Sequence, residues 1–525
     1  MLFNRITYNE RKELSLISRK SSISRNIFSN VGGYIISVVV AFLIAPITIH
    51  TLGDTRYGAW VLVSELIGYY GLLDLGIRGA VTYYVSQYSA LNQDKKINQI
   101  LSSAFWFLSI CGLLAFVVGI GFTIAFPYLF QNKGYDLSEV QQSLLIMSAL
   151  ISFSLPMNSF SGGLVGKQRF DIVSGLEVAN RILTAIFTYI ALKSGGGLVA
   201  LAIVQVTGRV LTWAGTLYVY RTIMGGLLIK PEWFNRKRVR ELIGYGFRNA
   251  IGQIALLVIY RMDLFVVGMF AGINRVIYYS IASTIVSYAS SLCSNITYTF
   301  TPRFTQIKSE NNKPELNRLF FWGMRVTGMA VVFIVAGILI FGKYFIILWL
   351  GPSYVNGPIT DRSYIIMMVL ILANFPRMLQ SISWQRLFGT GRVRFLMWLN
   401  ICEAVANLSL SILLARRYGP LGVALGTFFP LMISQLIIMP LYSCKAFDIS
   451  LWQLISKGLV TPIITGILMI AINLGCVYLI QPDTWLIFFI EIVMATIFGG
   501  IVAVGIGFNK QERHDQLLKL KNILT

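Results

Sequence analysis

Leu52–Gly79 reads LGDTRYGAWVLVSELIGYYGLLDLGIRG, and its two ends pull in different directions. A turn-prone polar lead-in (Gly53, Asp54, Thr55, Arg56, Tyr57, Gly58) runs into roughly a dozen mostly apolar residues. Gly71, Asp74, Gly76, Arg78 and Gly79 then interrupt the run. A charge at membrane depth costs about 2.5–3.5 kcal/mol on insertion scales, so such residues face a bundle interior or a wet cavity. Glycine breaks at that depth are tolerated for the same reason. The stretch predicts a broken membrane helix that lines a transport path.

Composition extends this reading to the whole chain. Of 525 residues, 56% are hydrophobic and 13% charged, with a mean hydropathy of +0.69. That balance belongs to a polytopic membrane protein. The net charge of +22 fits basic loops on one side of a membrane rather than a nucleic-acid partner. Cys111, Cys293, Cys402, Cys444 and Cys476 are odd in number and scattered through apolar runs, which suggests neither disulfides nor a metal site. The first 26 residues are polar and basic, and the long apolar run after them reads as an anchor, so no signal peptide is expected to be removed.

Apolar stretches of about 20 residues, the length that crosses a 30 Å core, occur fourteen times. They cover 27–49, 57–87 (long and broken), 101–126, 142–165, 172–193, 198–220, 245–270, 276–301, 320–341, 363–386, 395–415, 420–443, 457–480 and 484–508. If the N-terminus is cytoplasmic, that side receives Lys95, Lys96, Lys167, Arg169, Arg236, Lys237, Arg238, Arg240, Arg303, Lys308 and the tail lysines. The other side keeps Arg56, Lys133, Lys193, Arg275, Lys343, Arg362, Arg416 and Arg417. The asymmetry places both termini in the cytoplasm. The organisation expected is an N-terminal tail (1–26), an N-terminal lobe (27–220), a cytoplasmic hinge-like linker (221–244) and a C-terminal lobe (245–443). Two extra helices (444–508) and a cytoplasmic amphipathic tail (509–525) follow.

The halves repeat. GKQRF (166–170), EVAN (177–180) and GLVAL (197–201) return in order as GRVRF (391–395), EAVAN (403–407) and GVAL (422–425). Six spans separate the copies, so both enter the membrane in the same orientation, as parallel repeats. The fold class expected is an all-α polytopic membrane protein: about 14 transmembrane helices in two six-helix parallel-repeat lobes around a central cavity, plus two C-terminal helices.

LGDTRYGAW with YYGLLDLGIRGA, the GKQRFD loop, DLFVVGMFAG and IILWLGPSY together resemble the Wzx-type polysaccharide flippases of the multidrug/oligosaccharidyl-lipid/polysaccharide exporter superfamily. The resemblance covers essentially the whole chain. It implies a V-shaped pair of six-helix lobes that carries a lipid-linked oligosaccharide, usually on undecaprenyl diphosphate, from the inner to the outer leaflet of the cell membrane. It also implies a monomer with membrane lipids and other polysaccharide assembly proteins as partners, and no cofactor.

The buried charges have a reading of their own. Asp74 and Arg78, and Glu177 and Arg181, are four apart, a spacing at which each pair neutralises itself on one helix face. Arg209, Arg261 and Arg377 have no acid at helical spacing and must find a partner across helices or in a ligand. A guanidinium matches phosphate oxygens bidentately at any physiological pH. Arg78, Arg209, Arg261 and Arg377 are therefore the diphosphate candidates; the plainer alternative pairs them with Glu65, Glu403 or Glu491 as braces. Tyr69, Tyr70, Tyr260, Trp384 and Gln380 offer stacking or hydrogen bonds to sugars, although interfacial anchoring explains such aromatics equally well. Glu65, Asp74 and Asp263 are the candidates for coupling to protons or sodium; membrane potential alone favours outward passage of a diphosphate at about 2.3 kcal/mol per charge per 100 mV.

Two rivals remain. A cation-coupled multidrug antiporter of the same superfamily predicts an acid in the first span, which has none, although Asp263 keeps it open. A membrane polysaccharide polymerase predicts paired carboxylates or a metal site in a sizeable loop. The longest outer loop, 342–362, holds only Asp361, and His50 and His514 lie at opposite ends of the chain. The expectation is a transporter, not an enzyme.

Overall fold

The computed structural model describes residues 8–70, 74, 76–130, 134–224, 229–351 and 358–507, with the side chains of 8–32, 34, 66–70, 224, 247–258, 260, 358, 359, 502–504, 506 and 507 set aside. The tail 509–525 and the side chains of Tyr69, Tyr70 and Tyr260 lie outside what is described. The regular elements among the described residues are all helical, as they must be where lipid offers no partner to a backbone N–H or C=O. Among the described residues, eleven helices are long and apolar enough to cross a membrane, and Trp485–Ile501 is a shorter apolar helix. The chain is an all-α polytopic membrane protein, and it divides into two compact units, Met1–Ile254 and Ala255–Thr525.

The first unit holds α1 (Tyr8–Tyr70), α2 (Ile77–Ala90), α3 (Asp94–Leu129), α4 (Leu137–Gly166), α5 (Phe170–Lys193) and α6 (Leu198–Met224). α1 is two helices meeting at Gly53, whose φ of 72° and ψ of 170° are not helical. The long span expected over 57–87 is accordingly the second part of α1 followed by α2, which starts only at Ile77. Gly76 makes that restart possible. Its φ is +70°, and a β-carbon there would lie 2.7 Å from the carbonyl oxygen of Gly246, so both backbone and space demand glycine. Asp136 caps α4 by accepting from the Ser138 N–H at 2.9 Å.

The segment expected to be a hinge is fastened to this unit. The Lys230 N–H donates to Ser102 Oγ at 3.1 Å, and the Asn235 N–H donates to Ser103 Oγ at 3.0 Å. A 3-10 turn, Pro231–Trp233, lies between these anchors, and α7 (Arg236–Phe270) begins immediately after them. Arg238, on its first turn, donates to Tyr88 Oη at 3.0 Å and to Glu241 at 2.7 Å.

The second unit continues with α8 (Val276–Tyr298), α9 (Phe300–Ser309), α10 (Lys313–Leu350), α11 (Pro358–Leu379), α12 (Ser381–Gly389) and α13 (Val393–Tyr418). α14 (Pro420–Ile433) passes through a π-helical turn, Ser434–Ile438, into α15 (Met439–Phe447). α16 (Leu451–Leu454), α17 (Val460–Leu479) and α18 (Trp485–Gly507) complete it. One of its cores joins Phe304, Phe320, Met324, Ile382, Leu387 and Met439. Apolar side chains left outside, such as Leu468, Ile490 and Ile497, are those of helices that face hydrocarbon.

Candidate functional site

Within the first unit, α2, α4, α5 and α6 line a cavity of about 300 Å³. Two of these helices supply a polar stripe at helical spacing: Ser154, Asn158 and Ser161 on α4; Gln205, Arg209, Thr212 and Thr216 on α6. α5 adds Glu177 and α2 adds Arg78. Several hydroxyls are already satisfied within their own helices, as with Ser154 to the Leu150 carbonyl at 2.8 Å and Thr212 to Gly208 at 2.9 Å. Three of the long side chains are not. Among the described residues no acceptor reaches the Arg78 guanidinium, and the amides of Asn158 and Gln205 make no protein hydrogen bond.

The charges in this cavity pair differently from the expectation. Arg209 Nη1 donates to both carboxylate oxygens of Glu177, at 3.0 and 3.1 Å. Glu177 therefore reaches across to α6, not along α5 to Arg181, which is exposed. Gly208 is the reason: α6 lies so close to α5 there that a β-carbon would sit 2.4 Å from Thr184 Oγ1 and 2.6 Å from Asn180 Oδ1. That approach sets the next residue, Arg209, over Glu177. Asp74 and the Arg78 guanidinium make no hydrogen-bonded pair among the described residues, because α2 starts after Asp74, although the two charges still attract. Asp74 instead accepts the Arg78 backbone N–H at 3.3 Å and leaves the guanidinium to the cavity.

Arg377, in the second unit, is enclosed. Its Nη1 donates to Glu403 at 2.9 Å, its Nη2 to Asn400 at 3.0 Å, and its guanidinium lies 5.1 Å from the Trp384 ring. Glu403, 3% exposed, also accepts from Ser434 and Gln435, and Trp384 Nε1 donates to Gln435 at 3.2 Å. The π-helical turn starting at Ser434 is where these two successive donors meet the carboxylate. This is the brace that was the alternative reading for Arg377. It also accounts for Trp384, which is committed to the network. Arg261 and Glu65 are half-buried and have partners.

Asp263 forms a separate buried cluster. It accepts from Tyr279 Oη and from Thr427 Oγ1, the latter at 2.9 Å, and Thr427 accepts from Asn407 Nδ2 at 2.9 Å. Asp263 Oδ1 and Asn407 Oδ1 are buried and have no hydrogen-bond partner among the described residues. Tyr279, Thr427 and Asn407 carried no sequence signal of their own except that Asn407 closes the repeated EAVAN. Glu177 stood in plain view in the first copy of that motif, but Asn158 and Gln205 had no motif at all. No group of three or more His, Cys, Asp or Glu residues fit to hold a metal occurs among the described residues.

A family profile described as "Polysaccharide biosynthesis protein" matches residues 23–308. A "Putative O-antigen transporter" of Shigella flexneri is 21% identical over 434 residues, covering 81% of this chain and 100% of that protein. A "Probable flippase AglR" of Haloferax volcanii is 20% identical over 409 residues, covering 77% of this chain and 80% of that one. Among solved structures, "Lipid II flippase MurJ, inward closed conformation" superposes with a TM-score of 0.70 at 17% identity, over 91% of this chain and 98% of that one. An inward-facing multidrug resistance MATE family transporter of the MOP superfamily gives 0.65 at 16% identity, over 78% and 98%. The two structures share this polytopic fold, and the relatives uphold the resemblance to the Wzx-type flippases. Since the profile runs through more than half of the sequence, from the first membrane helix into the second unit, the chain belongs to the polysaccharide biosynthesis protein family.

Proposed function

We propose that the protein is a flippase that carries lipid-diphosphate-linked oligosaccharide repeat units from the inner to the outer leaflet by alternating access, for assembly of a surface polysaccharide. The observation that carries this reading is the cavity of the first unit, which Arg78 and Arg209 both line and where no described acceptor reaches the Arg78 guanidinium. Two guanidiniums lining one cavity suit an anion with several oxygens. Asn158, Gln205 and Trp213, lining the same cavity, suit the hydrogen bonds and the apolar face of a sugar. The names of the Shigella and Haloferax relatives agree with it. The lipid is taken to be undecaprenyl diphosphate, the location the inner or plasma membrane with both termini cytoplasmic, and the active form a monomer working beside other assembly proteins without catalysing a reaction. Of the arginines read from sequence, Arg78 and Arg209 are the diphosphate contacts, and Arg377 braces the second unit.

Asp263 is the group assigned to cation coupling, ahead of Glu65 and Asp74, because it is buried with an oxygen that no donor among the described residues satisfies. The same feature favours a second reading, a cation-coupled multidrug antiporter. Vesicles containing the purified protein separate the two. Movement of a lipid-linked saccharide between leaflets without nucleotide, lost in Arg78→Ala, supports the flippase; dye efflux with no such movement refutes it.

A further inference from the structure

Glu177 and Glu403 hold matching places in the two repeats, EVAN and EAVAN, and each binds an arginine of another helix. Their surroundings differ. The Glu403 side chain is 3% exposed and is shared among Arg377, Ser434 and Gln435. The Glu177 side chain is 37% exposed and has Arg209 as its one partner among the described residues. The contact uses a single nitrogen, Nη1, so Nε and Nη2 of Arg209 remain without an acceptor among the described residues. Both residues line the cavity that takes Arg78.

We propose that Glu177 is a built-in competitor for the carried anion: it holds Arg209 until a diphosphate arrives, is displaced by it, and afterwards helps to expel it. This rests on reading the cavity as the diphosphate seat. A diphosphate can engage two guanidinium nitrogens in parallel, whereas Glu177 engages one, so the exchange replaces a weaker contact with a forked one. Arg209 passes from one anion to another and is never left as a bare cation, which keeps the desolvation penalty of the exchange low. Once displaced, the Glu177 carboxylate stays beside the bound anion as a like charge and lowers its affinity. A transporter needs that, because a seat that binds too tightly does not release. Glu403 cannot act this way, since its other donors hold it in place.

The test titrates the detergent-purified full chain with inorganic pyrophosphate, with farnesyl diphosphate and with phosphatidylglycerol in mixed micelles, following tryptophan fluorescence. Glu177→Gln, nearly the same shape without the charge, is expected to bind both diphosphates roughly five- to tenfold more tightly, the worth of one like charge removed at contact distance in a wet site. It is also expected to export less glycan in a flippase-deficient host. Arg209→Ala is expected to weaken binding, and Glu177→Gln is expected to add nothing in its background. Glu177→Asp, which keeps the charge on a shorter arm, should fall between, and thermal unfolding midpoints within a few degrees of the parent show that every variant is folded. Unchanged or weaker diphosphate binding in Glu177→Gln, with Arg209→Ala weakened, overturns the competitor while the seat stands. No effect of either Arg78→Ala or Arg209→Ala overturns the seat itself. Equal competition by phosphatidylglycerol identifies the anion as an ordinary lipid headgroup and overturns the diphosphate assignment.

Discussion

Arg377→Met and Arg209→Met each remove the arginine partner of a repeat-motif glutamate, and the structure predicts very different costs. Arg377→Met leaves Glu403 at 3% exposure, still held by Ser434 and Gln435 but with no cation. Stranding a buried charge in this way costs about 3–5 kcal/mol, and losing the stack on Trp384, 5.1 Å away, adds about 0.5–1 kcal/mol. In the first unit the side chains are 40% and 37% exposed, so water takes over from Arg209 and the cost stays under about 1 kcal/mol. At 1.4 kcal/mol per decade, the first variant loses roughly two to four orders of magnitude in its folding equilibrium and the second less than one. Thermal unfolding in detergent, followed by a thiol-reactive dye at the buried Cys293 and Cys444, reads the difference directly. Arg377→Met combined with Glu403→Gln should recover part of the loss, because the stranded charge is gone. Equal midpoints for the two methionine variants, or a larger fall for Arg209→Met, would refute the distinction between a sealed brace and an open pair.

Arg78→Ala should lower glycan export at least tenfold while leaving the unfolding midpoint within a few degrees, since the guanidinium bonds no described residue; a fall in stability matching the fall in export would point to a structural role. Gly76→Ala should destabilise by about 2 kcal/mol or more, combining a φ of +70° with a methyl group 2.7 Å from the Gly246 oxygen, and parent-like unfolding would contradict the restart of α2 described here. Asp263→Asn keeps the shape that Tyr279 and Thr427 surround but removes the charge. Transport in vesicles should then stop responding to imposed proton or sodium gradients while still responding to a potassium–valinomycin potential, and a surviving gradient response would dismiss Asp263 as the coupling group.

The fold was readable because lipid leaves a chain few choices. A run of about 20 apolar residues must be a helix with its backbone bonds closed internally, so length and hydropathy located the spans without tertiary knowledge. Gly71, Gly76 and Gly79 also announced the break in the second span. The consequence of that break was harder to see. A four-residue spacing implies a shared face only on a continuous helix, and Gly76 ends the continuity between Asp74 and Arg78. For Glu177 the helix is continuous, yet the interaction along it lost to one across it, because the approach at Gly208 delivers a guanidinium to the cavity side.

Charge alone does not distinguish a residue that braces a bundle from one that waits for a ligand. Arg209 and Arg377 look the same in sequence: each is an arginine in an apolar run with no acid at helical spacing. Both find a glutamate from the repeated motif, so the presence of a partner does not separate them either. What separates them is how many donors share the carboxylate and whether water reaches it. A fully shared, dry carboxylate resists exchange because every displaced bond must be replaced, whereas a carboxylate with one partner on a cavity wall exchanges at little cost. The repeated motif supplies a glutamate to both cases, so the Glu403 pair serves as the comparison for the Glu177 pair. If Glu403→Gln enhanced diphosphate binding as much as Glu177→Gln does, exposure would not be the variable that turns an ion pair into a site.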